Sequence, residues 1–338
     1  MKKIKLGFKY FWPGFNPEDN FFTNFLRRHY EVIISKNPDY LIYSVFGGGG
    51  GFEKHAEQSG KIKKYLPNLH SRLKKSFLWT AIKHSNYWKK RLNTYMPEVK
   101  GNFVRIFYAA ENMIPDMSKC DWALSYCYEE EFNHPKHFRI PFYLVMEFGE
   151  NLIKKKINFE EIKKEKTKFC NFIYSNDVEF RNRFFKKLNK YQKVDSPGRC
   201  MNNMPPIGNY KEPGQSRNAF TWLEEKTNFL KKYKFTIAIE NFLNSPGYVT
   251  EKITHPMIVN SIPIYWGNPL ISRDFNPKSF INIEDFKNFK GVIKKIEEID
   301  QNDDLYEKML RKPWFKNNKP NKYVDEKKLL KKFKEIFG

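Results

Sequence analysis

The 338-residue chain carries 61 Lys+Arg against 38 Asp+Glu, a formal net charge of +23, and is 40% hydrophobic and 17% aromatic. That length admits about two ordinary domains with cores of their own, and the aromatic content argues against disorder. A charge of this sign points to an anionic partner: nucleic acid, an anionic membrane or a phosphate-bearing substrate.

Cys120, Cys127, Cys170 and Cys200 form no C-x-x-C pair, so a zinc ribbon or redox dithiol is unsupported, and the thiols read as reduced, intracellular and used for packing. No window of about 18 apolar residues occurs, so no transmembrane helix is expected. The start, Met1 to Phe8, lacks the apolar region and cleavage site of a signal peptide and reads as a first strand.

That strand runs from Ile4 to Tyr10, and the turn-rich Trp12 to Pro17 follows, with Asp19 placed to cap the next segment. Phe21, Phe22, Phe25 and Leu26 then recur at helical spacing. Tyr30 to Ile34 reads as a strand, and Tyr40 to Phe46 as a strand buried on both faces. Gly47 to Gly51 is a glycine run without the spacing of a G-x-G-x-x-G fingerprint, which favours a plain loop over a ligand contact. Residues 51–100 hold twelve Lys/Arg and three Glu, and their apolar residues predict one or two basic amphipathic helices. Strands resume at Asn102–Tyr108 and Trp122–Tyr126, and Phe138 to Leu144 ends the first half. The charged stretch from Lys154 to Lys168 reads as a hinge.

The second half alternates more cleanly. Strands are predicted at Phe169–Tyr174, Tyr191–Asp195, Phe235–Ile239, Ile262–Trp266 and Phe280–Ile283. Helices are predicted at about 179–190, 217–232, 250–260, 286–299 and 303–312. Such alternation implies a parallel sheet covered on both faces, with ligands beyond the carboxyl ends of its strands. From Lys316 the chain is basic again, and Leu329, Leu330, Phe333, Ile336 and Phe337 form one apolar stripe that either packs on the body or touches lipid.

The segment most suited to chemistry is Tyr233 to Ile253. A buried strand ends in Glu240-Asn241, a loop with Pro246-Gly247 follows, and Thr250 caps a helix that opens with Glu251-Lys252. In α/β folds this order places free N–H groups and the helix dipole against a phosphate. Lys252 adds a positive charge toward a diphosphate, and Glu251 can accept hydrogen bonds from sugar hydroxyls. A solvated helix start is an equally open reading of the same residues.

Ile239-Glu240-Asn241, then Gly247-Tyr248-Val249-Thr250-Glu251-Lys252, then Ile262-Pro263-Ile264-Tyr265-Trp266-Gly267, closely resembles the signature of the GDP-fucose-dependent α-1,3/4-fucosyltransferases of glycosyltransferase family 10. Phe8 to Trp12, Pro38 to Gly47, Arg105 to Asn112, Asn171 to Asn176 and Arg181 to Phe185 resemble further parts of that family. Ala109-Ala110 stands where the family usually has Thr-Gly, and the 51–100 insert is longer than expected.

The resemblance implies an α/β architecture of two Rossmann-like domains facing a cleft, the GT-B arrangement, with parallel sheets. Residues 1–155 would bind the acceptor and carry the basic insert, 156–312 would bind GDP-fucose, and 313–338 would be a basic amphipathic tail. It implies inverting transfer of L-fucose to a GlcNAc or Glc hydroxyl of a glycan such as N-acetyllactosamine, giving an α-1,3, Lewis X type product. Glu111 and Glu251 are the catalytic candidates, with Glu111 as general base. Arg181 and Lys252 would face the diphosphate in place of a metal, and Asn241, Tyr248 and Glu251 would line the donor pocket. Arg183 and Arg199 are lesser candidates.

No D-x-D triplet occurs, and His134 and His137 flank Pro135, so no metal site is expected. No cofactor is expected to be required, with Mn2+ or Mg2+ kept as a stimulating option. The expected location is cytoplasmic, with peripheral association at the inner face of a membrane left open. The remaining alternatives are a basic membrane-surface or nucleic-acid-binding protein and a related transferase using another nucleotide sugar. No nucleic-acid partner is expected, because no recognition motif accompanies the charge.

Overall fold

Runs of apolar residues four to seven long, separated by amphipathic helices, can hide their backbone polar groups only by pairing in parallel and being covered on both faces. The computed structural model shows this arrangement twice. It describes residues 1–12, 14–46, 96–147, 149–208 and 219–338. The glycine run and most of the basic 51–100 insert lie outside the described residues. The chain divides into two compact units, Met1–Ser125 with Glu129–Phe138, and Tyr126–Tyr128 with Arg139–Gly338.

The first unit contains β1 (Lys3–Lys9), α1 (Phe21–Arg27), β2 (Glu31–Ile34), β3 (Tyr40–Tyr43), β4 (Val104–Tyr108), β5 (Trp122–Ser125), α2 (Glu129–Phe132) and β6 (His137–Arg139). The strands form one sheet in the order β2-β1-β3-β4-β5-β6, with parallel pairing from β2 through β5. Asn20, not Asp19, caps α1, because its side chain accepts from the N–H groups of Phe22 and Thr23, while Asp19 accepts from Asn24. Phe22, Phe25 and Leu26 are buried on that helix. Tyr43, Phe107, Ala123, Met96 and Val99 share a core, so the last residues of the insert belong to the body of this unit.

The second unit contains α3 (Phe142–Met146), α4 (Phe159–Glu165), β7 (Lys168–Asn171), α5 (Glu179–Leu188), β8 (Val194–Asp195), α6 (Ala219–Leu230), β9 (Tyr233–Ile239), α7 (Glu251–Ile258), β10 (Ile262–Trp266), β11 (Ile281–Asn282), α8 (Phe289–Asp300), α9 (Asp303–Leu310) and α10 (Glu326–Phe337). Its sheet order is β11-β10-β9-β7-β8, and its pairs are parallel. Phe235, Ile237 and Ile239 of β9 pack with Ile262 and Ile264 of β10 and with Val292, Ile296 and Ile299 of α8. Each such side chain contributes roughly 1.5–3 kcal/mol on burial.

In α10, Leu329, Phe333, Ile336 and Phe337 are all buried. The stripe therefore packs on the body and is withdrawn from lipid. Among the described residues, no helix is long and apolar enough to cross a membrane. All four cysteines are free and buried.

Candidate active site

The carboxyl ends of β7, β9 and β10 carry the polar residues of the signature. Glu240, immediately after β9, is 0% exposed. Its carboxylate accepts the backbone N–H of Thr250 at 2.8 Å and the Thr250 hydroxyl at 2.9–3.0 Å. The Lys252 ammonium lies 3.3 Å from the same carboxylate and donates to Thr250 Oγ1 at 3.0 Å. Burial raises the Glu240 carboxyl above its ordinary value, and Lys252 and Thr250 pull it back toward the charged form. Burial works against the Lys252 charge too, but Glu240 and Glu251 outweigh it and raise this lysine above its usual value. The site is thus built around a buried ion pair that ties the end of a strand to the start of a helix.

Two glycines of the signature are explained by this crowding. A Cβ at Gly267 would lie 2.5 Å from Glu240 Cγ and 2.8 Å from the Tyr265 hydroxyl. Gly247 has φ +84° and would place a Cβ 2.3 Å from the Tyr126 carbonyl. Gly247 is also gripped at both ends: its N–H donates to Asn268 Oδ1 at 2.9 Å, and its carbonyl accepts from Arg139 Nη2 at 2.8 Å.

Arg139 itself is paired with Asp274, both side chains being 0% exposed. Its Nε donates to the Tyr126 carbonyl at 2.8 Å, and its guanidinium lies over the rings of Tyr128 and Tyr323. Tyr128 and Tyr143 donate to Asp274 at 2.8 and 3.0 Å. No local signal in the sequence announces a pair 135 residues apart; the only hint is an arginine inside the apolar run Phe138-Arg139-Ile140.

Arg181 projects from α5 and is 1% exposed. Its Nη2 donates to Asn241 Oδ1 at 3.1 Å, and the guanidinium sits 4.1 Å from the centre of the Tyr174 ring. Tyr174 is fixed in turn by donating to the Ile237 carbonyl at 2.8 Å and accepting the Ile239 N–H at 2.7 Å. Burial lowers the Arg181 pKa, yet a guanidinium stays charged. Among the described residues it has no carboxylate partner within ion-pair distance, and its Nε has no hydrogen-bond partner. Buried charges and buried donors are almost always satisfied in folded proteins, so the unmet Nε of Arg181 at the strand ends is an exception that calls for a partner.

Glu251 opens α7, with Thr250 as the cap that was expected. Burial pushes its carboxyl up, but Lys252 and Lys226 pull it further down, to about 2. A carboxylate this acidic is a poor proton acceptor and a permanent negative charge. Held ionised, Glu251 is suited to accept hydroxyl hydrogen bonds. The Tyr248 ring, expected to line the donor pocket, is 2% exposed and packs edge-on against Tyr126 at 5.3 Å. Its visible contribution is to hold the loop. Arg183 and Arg199 are exposed.

In the first unit, Glu111 lies three residues beyond the carboxyl end of β4 and is half-buried. Its carbonyl accepts the Met113 N–H at 2.7 Å, which turns the loop at this point. His134 and His137 take separate partners: His137 Nε2 lies 2.8 Å from Ser125 Oγ, and His134 Nδ1 accepts from the Lys136 N–H. Among the described residues, no group of three His, Cys, Asp or Glu is placed to hold a metal ion.

Residues 163–335 match the family described as glycosyltransferase family 10 (fucosyltransferase), C-terminal part. Residues 6–55 and 67–146 match the alpha-(1,3)-fucosyltransferase FucT N-terminal domain. The chain is 30% identical over 241 residues to an alpha-(1,3)-fucosyltransferase FucT of Helicobacter pylori, covering 62% of this chain and 47% of that protein. It is 36% identical over 128 residues to alpha-(1,3)-fucosyltransferase B of Drosophila melanogaster, covering 37% of this chain and 28% of that protein. The chain thus spans about a quarter to a half of the length of these curated relatives. In fold it matches a crystal structure of an alpha1,3-fucosyltransferase with GDP-fucose, with TM-score 0.64 and 22% identity, over 100% of this chain and 91% of that one. With matched segments in both units and more than half of its length in the C-terminal match, the chain belongs to glycosyltransferase family 10.

Proposed function

We propose that this protein is an inverting α-1,3-fucosyltransferase that moves L-fucose from GDP-fucose to a GlcNAc or Glc hydroxyl of a glycan such as N-acetyllactosamine. The observation that carries the reading is Arg181: a buried guanidinium with an unmet Nε donor, beside the Glu240–Thr250–Lys252 cluster at the strand ends. Such a group suits a diphosphate, whose oxygens take forked hydrogen bonds and whose charge needs neutralising as it leaves. The names of the relatives and the family membership support the donor and the linkage.

In this reading Glu111 takes the proton of the acceptor hydroxyl, and the freed oxygen attacks the fucose anomeric carbon opposite the diphosphate. Arg181 and Lys252 stabilise the departing GDP, so the step requires no metal, and a divalent cation enters only as a stimulant. The ionised Glu251 accepts fucose or ribose hydroxyls and steadies positive charge developing on the sugar. A Lewis X type product follows if the acceptor is N-acetyllactosamine.

The test is incubation with GDP-fucose and a panel of defined acceptors, with the product linkage assigned by NMR. An α-1,3-fucosylated product supports the proposal. Neither transfer nor donor hydrolysis on any acceptor refutes it. A cheaper check is the melting temperature, which GDP should raise and UDP and ADP should not.

A further inference from the structure

Glu251 and Lys252 are neighbours in sequence, but the Lys252 ammonium is committed elsewhere, to Glu240 at 3.3 Å and Thr250 at 3.0 Å. The second cation that meets Glu251 comes from another helix. Lys226, on α6, places its ammonium 3.8 Å from Glu251 Oε1, and the two side chains are only 14% and 19% exposed. Lysines this withdrawn from water are nearly always paired.

Lys226 is also aimed. Its ammonium lies 3.0 Å from His255 Nδ1, one turn along α7 from Glu251. An ammonium can only donate, so Nδ1 is the acceptor and the ring proton sits on Nε2. That nitrogen lies 3.7 Å from Glu147 Oε1, beyond hydrogen-bond distance, and has no hydrogen-bond partner among the described residues. Burial, with Lys226 adding to it, holds His255 neutral, with its pKa lowered to about 3. His255 therefore accepts one ammonium proton of Lys226 and leaves the others available to Glu251.

We propose that Lys226 is a positioning residue for the transfer step, holding the Glu251 carboxylate in the orientation from which it contacts the sugar of the donor. This rests on the role given to Glu251 above. Loss of Lys226 should slow the chemical step.

The test is a double-mutant cycle on Lys226 and Glu251, with kcat, donor KM, GDP affinity and Tm measured for each variant. Lys226→Met should lower kcat by roughly 100-fold, the scale of a reacting group displaced by about 1 Å, and should change GDP affinity no more than Glu251→Gln does. Lys226→Arg, which keeps the charge, should recover most of the loss. Lys226→Met in the Glu251→Gln background should cost little more, because the residue acts through Glu251. Lys226→Gln gives the same reading should the methionine variant melt too low to assay.

Near-normal kcat in Lys226→Met beside a crippled Glu251→Gln overturns the inference. So does a double variant whose loss is the product of the two single losses. Near-normal turnover in Glu251→Gln instead overturns the role of Glu251 itself, which distinguishes the two failures.

Discussion

The two units present their candidate residues in different ways. In the second unit the signature residues are fastened in advance: Glu240 is 0% exposed and tied to Thr250 and Lys252, and Gly247 is held at both its N–H and its carbonyl. In the first unit Glu111 stands half-buried on a loop three residues past β4. A leaving diphosphate rewards rigid, pre-oriented charge, because no reorganisation is then needed as it departs. A base must meet whatever hydroxyl the acceptor presents, and a loop beyond a strand end can do so. Changes in the second unit should therefore couple nucleotide binding to stability, and changes at Glu111 should touch turnover without touching nucleotide binding.

The largest expected effect is on turnover. Glu111→Gln should lower kcat by roughly 100- to 10,000-fold, the usual worth of a positioned base. Near-normal kcat would remove Glu111 from this role. Next comes stability in the second unit. Asp274→Asn leaves Arg139 buried without its counter-charge and should cost about 3–5 kcal/mol, read by denaturant unfolding. A loss below about 1 kcal/mol, typical of an exposed pair, would mean the network is not what secures the Gly247 loop.

A smaller effect is set by pH. His255 is held neutral in the fold with a pKa of about 3, below its ordinary 6.5. Between those values the unfolded chain binds a proton that the folded chain refuses, so stability falls as pH drops through that window. His255→Asn should make the fall in Tm between pH 6.5 and 4.5 shallower, and an unchanged slope would contradict the assignment. The smallest effect is expected at Arg183, which is exposed. Arg183→Ala should leave donor KM within about twofold of wild type, in keeping with ordinary surface substitutions. A large rise would extend the diphosphate site beyond Arg181 and Lys252.

Much of the second unit was legible because its signals are local. The β9 run, the Pro246-Gly247 turn and the Thr250 cap lie within about twenty residues, and each has its own chemistry. What escaped is long-range. Lys226 looks like any other charge among Glu224, Glu225 and Lys231, and only folding brings it to Glu251. Glu240 read as the polar end of a strand, whereas Thr250 and Lys252, ten and twelve residues on, convert it into a buried ionic centre. Tyr248 sits in the signature, but its partner Tyr126 lies far back in the chain, so its inward turn could not be foreseen. The α10 stripe was visible, and its covering was not, because periodicity identifies an apolar face without naming what packs on it.

The division of labour between the units is tested most directly by the affinity for GDP, measured by calorimetry on Arg181→Lys and Glu111→Gln side by side. Replacing the forked guanidinium by a point charge should weaken GDP binding by roughly 10- to 100-fold. Glu111→Gln should bind GDP as the wild type does. Unchanged affinity in Arg181→Lys, or a comparable loss in Glu111→Gln, would contradict the account.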